Sequence, residues 1–102
     1  MLQLRPNCEW CDKDLPPAAT DARICTFECT FCAECVETVL FNVCPNCGGG
    51  FVPRPIRPVR PWRPGVCLEN RPPSAQRVHL KWPRDEVAAF VRGMRETEPA
   101  KR

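Results

Sequence analysis

The chain lacks the features of a membrane or secreted protein. None of its 102 residues belongs to an apolar stretch of the roughly 20 residues needed to span a membrane. Residues 1–6 (MLQLRP) contain no apolar region like that of a signal peptide. We therefore expect no membrane association and a reducing cytoplasm, where thiols bind metal ions more often than they pair. The odd number of cysteines, nine, also argues against a secreted disulfide framework.

The chain is also poor in side chains suited to catalysis. Its single histidine, His79, lies far from the cysteine-rich region, and we expect it to face solvent on a strand. No combination of acid, base and nucleophile stands out elsewhere. We therefore predict that the protein is not an enzyme.

Cysteine is what the chain has in excess. Eight of the nine cysteines lie between residues 8 and 47. They form four close pairs: Cys8 and Cys11, Cys25 and Cys29, Cys32 and Cys35, Cys44 and Cys47. Structural Zn²⁺ takes four ligands tetrahedrally, and a tight turn between paired cysteines presents both sulfurs to one ion. We therefore predict two structural zinc ions, with no coordination position left open for water.

The first pair can share an ion with any of the other three pairs. In a sequential order, as in LIM-type modules, the first two pairs share one ion and the last two pairs share the other. This order needs a longer segment within the second site than the eight residues between Cys35 and Cys44. Joining the first pair to the last would crowd the four middle cysteines. An iron–sulfur cluster is disfavoured because the interval from Cys35 to Cys44 exceeds that of the ferredoxin motif. We favour an interleaved order: Cys8, Cys11, Cys32 and Cys35 in site 1, and Cys25, Cys29, Cys44 and Cys47 in site 2.

The interleaved spacing resembles an all-cysteine RING finger, in which Cys29 stands where histidine is common. This resemblance implies a cross-braced fold. RING ligases recruit a conjugating enzyme through an apolar residue in the first zinc knuckle, the turn between the first two cysteines. In this chain the first knuckle is residues 8–11, and Trp10 could fill that role. They also use a basic residue after the last cysteine, where this chain has Gly48. We therefore prefer a general protein-interaction module over a ubiquitin-ligase-like scaffold.

Local patterns predict the elements that carry these cysteines. Residues 1–7 are read as a short strand. Apolar and polar side chains alternate weakly over residues 23–31, which predicts a hairpin carrying Cys25 and Cys29. Residues 33–41 contain no glycine or proline, and an apolar helical face runs along them. This face is formed by Val36, Val39, Leu40 and Val43. We expect Asn42 to end this helix in a left-handed conformation, and Gly48 to let backbone N–H groups point at the sulfurs.

The C-terminal half begins with a three-residue repeat. Proline recurs at positions 55, 58, 61 and 64, each time after arginine. This period predicts a polyproline II segment over residues 54–64 that lies against acidic surface, either of its own cysteine-rich half or of a partner. Candidate partner-binding residues are therefore Trp10, Arg54, Arg57, Arg60, Trp62 and Arg63. Residues 1–50 carry a net charge of −4 and residues 51–102 carry +7, so a nucleic-acid partner is an alternative to a protein partner.

The remaining residues predict a strand and a helix. Polar and apolar side chains alternate over residues 77–82, which predicts an edge strand. Residues 84–96 form an amphipathic helical pattern with acidic residues in the first turn. The apolar face of that helix comprises Val87, Phe90, Val91 and Met94. We expect it to cover its own chain, with a dimer contact as the alternative. Cys67 is expected to be a free thiol.

The stretches MLQLRPNCEWCDKDLPP, ARICTFECTFCAECVETVL and CPNCGGGFV closely resemble a family of short bacterial proteins, domain of unknown function 1272. The resemblance covers residues 1 to roughly 58 and implies a bacterial zinc-binding protein. The sequence thus predicts a small zinc-stabilised α+β fold in three parts. These are a RING-like domain (1–52), an Arg-Pro linker (53–66) and a C-terminal extension (67–102).

Overall fold

The computed structural model describes all residues, 1–102, and shows a small α+β fold. Three short strands form an antiparallel sheet in the order β2-β1-β3. The elements in chain order are β1 (Ala22–Ile24), β2 (Thr30–Cys32), α1 (Ala33–Thr38), β3 (Val52–Pro53), α2 (Arg84–Met94) and a 3₁₀ turn (Pro99–Lys101). The α+β class predicted from the sequence is confirmed. No helix has the length and apolar character that crossing a bilayer requires.

Strands β1 and β2 form the predicted hairpin, with Arg23 opposite Phe31. The loop between them carries Cys25 and Cys29. Phe31 is fully buried and packs edge-on against Phe51, with ring centroids 5.5 Å apart. The sequence did not predict β3, which adds two residues to the free edge of β1. Proline can occupy such an edge strand because the edge position requires no further hydrogen bond from its nitrogen.

Helix α1 begins directly after β2 and ends three residues earlier than predicted. Two consecutive residues, Phe41 and Asn42, adopt left-handed conformations with φ of 46° and 60°, as the sequence predicted for Asn42. The chain turns back there, and the apolar face beyond the helix continues into the core through Leu40 and Val43, both fully buried. The helix is short because this reversal lies only three residues after its last turn.

One hydrophobic core joins the two halves of the chain. Six cysteines pack there with apolar residues of the sheet and α1, and with Val87 and Val91 of α2. The amphipathic pattern therefore predicted Val87 and Val91 of the buried face correctly, whereas Phe90 is exposed and Met94 is half-buried. Through these two valines the helix covers its own chain. Residues 1–52 and residues 67–102 both contribute to this core, whereas residues 53–66 contribute none of its members.

Two predicted strands do not form. Leu4 has a φ of 55°, and the N-terminal segment makes only an isolated bridge between Asn7 and Asp14. Residues 77–82 contain no strand. Their hydrogen bonds go instead to the first knuckle: Val78 N–H donates to the Asn7 side chain at 3.1 Å, and Leu80 N–H donates to the Glu9 carbonyl at 3.0 Å.

The Arg-Pro repeat contains no helix or strand over residues 54–64. Trp62 N–H donates to the Arg60 carbonyl at 3.0 Å, which closes a tight turn. Polyproline II structure has no internal hydrogen bonds. An extended segment therefore cannot continue through Trp62, and the regular spacing of all four arginines along one edge is lost at this turn.

Candidate metal centres

The first cysteine cluster contains Cys8, Cys11, Cys32 and Cys35. Their four sulfur atoms all lie within 4.8 Å of one another. Cys11 Sγ and Cys32 Sγ are 3.8 Å apart. Tetrahedral zinc with Zn–S bonds of about 2.3 Å would place its sulfur ligands about 3.8 Å apart. The donor set and its spacing therefore fit a zinc ion.

Local structure explains how these four sulfurs meet. Asp12 N–H donates to the Cys8 carbonyl at 2.9 Å, and Asp12 has a φ of 64°, so residues 8–12 form a tight turn. Cys32 ends β2 and Cys35 lies in the first turn of α1. The abrupt change from strand to helix brings this second pair to one side of the chain.

The second cluster contains three sulfurs within 4.8 Å of one another, those of Cys25, Cys44 and Cys47. Cys29, predicted as the fourth member, lies outside this limit although it is buried. Two backbone N–H groups point at the clustered sulfurs: Phe27 to Cys25 at 3.3 Å and Gly49 to Cys47 at 3.4 Å. Such bonds stabilise thiolates.

Gly48 explains the second of these contacts. Its φ is +80°, as the sequence predicted, and this conformation turns the following N–H toward the Cys47 sulfur. Glycine reaches such an angle at little cost. The glycines after the last cysteine therefore shape this knuckle.

Crowding of the thiols shifts their acidities in opposite directions. The thiols of Cys29 and Cys44 lower the pKa of Cys25 to about 3. The thiols of Cys25 and Cys29 in turn raise the pKa of Cys44. In the first cluster, burial and the neighbouring Cys32 raise the pKa of Cys35. One thiolate thus suppresses ionisation of the next, and a divalent cation would supply the charge that lets all of them ionise.

Glu9, a residue that sequence reasoning missed as part of the site, connects the two clusters. Its buried carboxylate accepts hydrogen bonds from Thr30 N–H at 2.7 Å and from Arg5 at 3.1 Å. Its other oxygen accepts a hydrogen bond at 3.3 Å from Asn46, which lies in the last knuckle, residues 44–47. Burial raises the pKa of Glu9. The only sequence signal was an acidic residue between two cysteines, which is usually a solvent-facing position.

The C-terminal half docks on the first knuckle through Arg77. Its guanidinium group donates to the Asp12 carboxylate at 2.9 Å and to Asp14 at 2.7 Å. These bonds raise the pKa of Arg77, and the bond from Arg77 lowers the pKa of Asp12. His79 is exposed, as predicted, and its Nδ1 lies 3.8 Å from the same Asp12 carboxylate. Acidic residues of the cysteine-rich N-terminal half therefore pair with a basic residue that lies outside the Arg-Pro repeat.

Within the chain, the first two arginines of the repeat contact backbone carbonyl groups and form no ion pair with acidic residues. Arg54 is buried, and its guanidinium group donates to the carbonyl oxygens of Arg5, Leu15 and Pro16 at 2.8–3.1 Å. Arg57 is half-buried and donates to the carbonyls of Leu2 and Arg71. Both guanidinium groups are therefore hydrogen-bonded within the chain.

The other predicted partner-binding residues differ in exposure. Arg60, Trp62 and Arg63 are exposed, and the Trp62 side chain is 72% accessible. Trp10 is half-buried beneath the Arg84 guanidinium group, whose carbon lies 4.5 Å from the ring centroid. The apolar surface of the first knuckle is thus covered by the chain's own C-terminal half.

Cys67 is separate from both clusters. It is buried, and its thiol donates to Asn70 Oδ1 at 3.1 Å. As predicted, it has no disulfide partner.

Comparison with known proteins places residues 1–57 in a single family, described as a protein of unknown function (DUF1272). The chain belongs to this family. All eight paired cysteines of this DUF1272 protein lie within the matched residues, whereas Cys67 lies outside them. An uncharacterized protein of Rhizobium meliloti (strain 1021) is 59% identical over 78 residues, which cover 76% of this chain and 86% of the relative. No solved structure matches significantly.

Proposed function

We propose that this DUF1272 protein is a non-catalytic protein of the bacterial cytoplasm in which two structural zinc ions support a surface for binding another protein. The observation that carries the zinc proposal is the interleaved grouping of sulfurs. Cys8 and Cys11 lie with Cys32 and Cys35, while Cys25 lies with the last pair. This order, together with the short hairpin and helix, supports a RING-like cross-brace.

Cys29 is the fourth ligand of the second ion in this proposal. Its buried thiol lies close enough to Cys25 and Cys44 to shift the pKa values of both. With Cys29 included, each ion has four sulfur ligands and no open position for a reacting water molecule. Closed four-sulfur coordination is typical of structural zinc.

The surface around the second cluster supports a protein-binding role. Phe27 lies in the loop between Cys25 and Cys29 and is 69% exposed. Trp82 and Phe90 are also partly exposed near the last knuckle. Aromatic side chains held on a rigid scaffold are enriched in protein interfaces. Zinc would therefore act by fixing the loops that display these side chains.

The zinc proposal is tested by native mass spectrometry of the full chain and of two serine variants. We expect two zinc ions in the natural protein and in Cys67→Ser, which alters a buried cysteine outside both clusters. Cys29→Ser should bind the second ion at least tenfold more weakly. One ion in the natural protein, bound iron, or unchanged affinity in Cys29→Ser would contradict the proposal.

The pairing of ligands is tested separately by cadmium-113 NMR. Cysteine protons of residues 8, 11, 32 and 35 should couple to one cadmium resonance. Those of residues 25, 29, 44 and 47 should couple to the other. Couplings from Cys8 and Cys25 to the same cadmium would instead establish sequential sites.

The exposed Arg60, Trp62 and Arg63 favour nucleic acid as a second candidate partner. Arginines can contact phosphates while tryptophan stacks on a base. Binding of single-stranded oligonucleotides would then weaken by about 0.7 log units per phosphate contact for each tenfold increase in salt. Loss of such binding in an Arg60→Gln, Arg63→Gln double variant would favour this second function.

A further inference from the structure

A pocket of about 260 Å³ lies between the last cysteine knuckle and helix α2. It is lined by Pro45, Asn46, Trp82, Glu86, Val87 and Phe90. We call it the Trp82 pocket. Pockets for drug-sized ligands hold roughly 300–1,000 Å³, so this one suits a single side chain.

Hydrogen bonds and packing hold the aromatic walls in place. The Trp82 indole N–H donates to Asn46 Oδ1 at 3.0 Å, and Asn46 Nδ2 donates to buried Glu9 at 3.3 Å. The Phe90 ring lies against the last knuckle, where a Cβ atom on Gly48 would be 3.7 Å from its Cζ. The two rings nevertheless remain 50% and 36% accessible. The pocket is therefore preformed and open.

The lining of the pocket carries one negative charge. Glu86 is its only ionisable lining residue, and this exposed carboxylate forms no hydrogen bond or ion pair within the chain. Pro45 and Asn46 lie between two cysteines of the second cluster. A zinc ion with four thiolates there, as the proposed function requires, would carry a formal charge of −2 beside the pocket. The aromatic faces add the negative side of their quadrupoles.

We propose that the Trp82 pocket binds the positively charged side chain of a lysine or arginine on a partner protein. The cation lies against the rings of Trp82 and Phe90, and Glu86 supplies the opposite charge. Buried Val87 forms an apolar floor for the methylene stem. This inference rests on the proposed protein-binding function and specifies the chemistry of the partner.

The test uses the full-length zinc-loaded protein and blocked tripeptides, Ala-Lys-Ala, Ala-Arg-Ala and the neutral Ala-norleucine-Ala. Amide NMR spectra are recorded during each titration. The lysine or arginine peptide should shift the Trp82 indole N–H and the Glu86 and Phe90 amides saturably. The norleucine peptide should bind at least fivefold more weakly, because it has the stem without the charge.

Two variants with the same charge change separate the pocket from the general surface. Glu86→Gln should weaken the lysine peptide about fivefold. Asp85→Asn, which alters the neighbouring carboxylate outside the pocket, should change its affinity less than twofold. Native mass spectrometry should find two zinc ions in both variants, so that loss of the pocket is distinguished from failure of the zinc scaffold.

Several results would overturn the inference. One is equal binding of the norleucine peptide, which would make the pocket merely apolar. Another is an equal effect of the two variants. Tighter binding of tetramethylammonium than of the lysine peptide would assign the pocket to a small-molecule cation and not to a protein partner. Absence of any shift at Trp82 would exclude cation binding altogether.

Discussion

Glu9 shows how much of the site depends on one carboxylate. One oxygen accepts two N–H donors, from Thr30 and Arg5, and the other accepts the Asn46 amide. Glutamine at this position would turn its NH₂ group toward donors on one of these sides. Asn46 cannot rotate to compensate without losing its bond from Trp82. The residue therefore links both cysteine clusters to the C-terminal half.

We predict that Glu9→Gln lowers the free energy of unfolding by about 1.5–3 kcal/mol, the range for hydrogen bonds to charged groups. Urea unfolding at fixed free zinc, followed by far-ultraviolet circular dichroism, measures the change. Glu37→Gln is the matched control, because Glu37 is exposed and forms no hydrogen bond, and it should change stability by less than about 0.5 kcal/mol. Equal midpoints for the two variants would refute this role of Glu9.

Arg54 differs from the other arginines of the repeat because its planar guanidinium group spans three carbonyl oxygens. A lysine ammonium group cannot reproduce this fork. We predict that Arg54→Lys costs about 2 kcal/mol, because at least one carbonyl loses its charged donor. Arg60→Lys, an exposed position in the same repeat, should be neutral. Equal stability of the two variants in the same urea experiment would argue against this carbonyl site.

At the scale of elements, two glycines lie in open space but in different backbone conformations. Gly93 lies within α2 and Gly65 has a φ of +79°, and a Cβ at either would meet nothing within 4 Å. Gly93→Ala should therefore stabilise the protein by about 0.8–1 kcal/mol through helix propensity. Gly65→Ala should destabilise it by about 1–2 kcal/mol through left-handed strain. The two substitutions should shift the melting temperature in opposite directions. Shifts of the same sign would contradict this account of the two glycines.

The elements that could be predicted from the sequence are those fixed by local pattern. The hairpin, α1 and α2 follow from residue periodicity within about a dozen positions. In contrast, β3 forms only because β1 has a free edge, and two residues give no recognisable pattern. Polar and apolar side chains alternate over residues 77–82 as in a strand. Their backbone N–H groups nevertheless donate to Asn7 and Glu9, in a distant part of the chain. Such long-range partners leave no signal in a single sequence.

The same limit applies to the cysteine clusters. Pair spacing and the short segment after Cys35 favour the interleaved order because they constrain chain length directly, and the structure shows one cluster of four and one of three of these cysteines. The position of Cys29 depends on the left-handed turn at Glu28, whose φ is 66°. The Glu9 network depends on residues more than twenty positions apart. Three-dimensional packing decides both.

At the scale of the whole molecule, Val87 and Val91 of α2 pack among the clustered cysteines. Structural zinc contributes roughly 10–16 kcal/mol in small peptides, and ordinary domains have a net stability of about 5–15 kcal/mol. We therefore predict that a chelator unfolds the cysteine-rich region and α2 together. Hydrogen exchange should show amide protection lost in both regions at the same chelator concentration. Protection that persists in α2 would establish a separately stable C-terminal part.

Under the proposed zinc function, the interleaved order of the clusters has a consequence for synthesis of the chain. Cys8, Cys11, Cys25 and Cys29 leave the ribosome before Cys32 and Cys35 do, and they could hold an ion together as a temporary sequential site. At roughly 5–20 residues per second, Cys35 follows Cys29 within about a second. An ion held in this way would then exchange two of its ligands for Cys32 and Cys35, while the second site waits for Cys47. Ligand exchange at the bound ion would in that case be one of the steps that set how quickly the native protein appears.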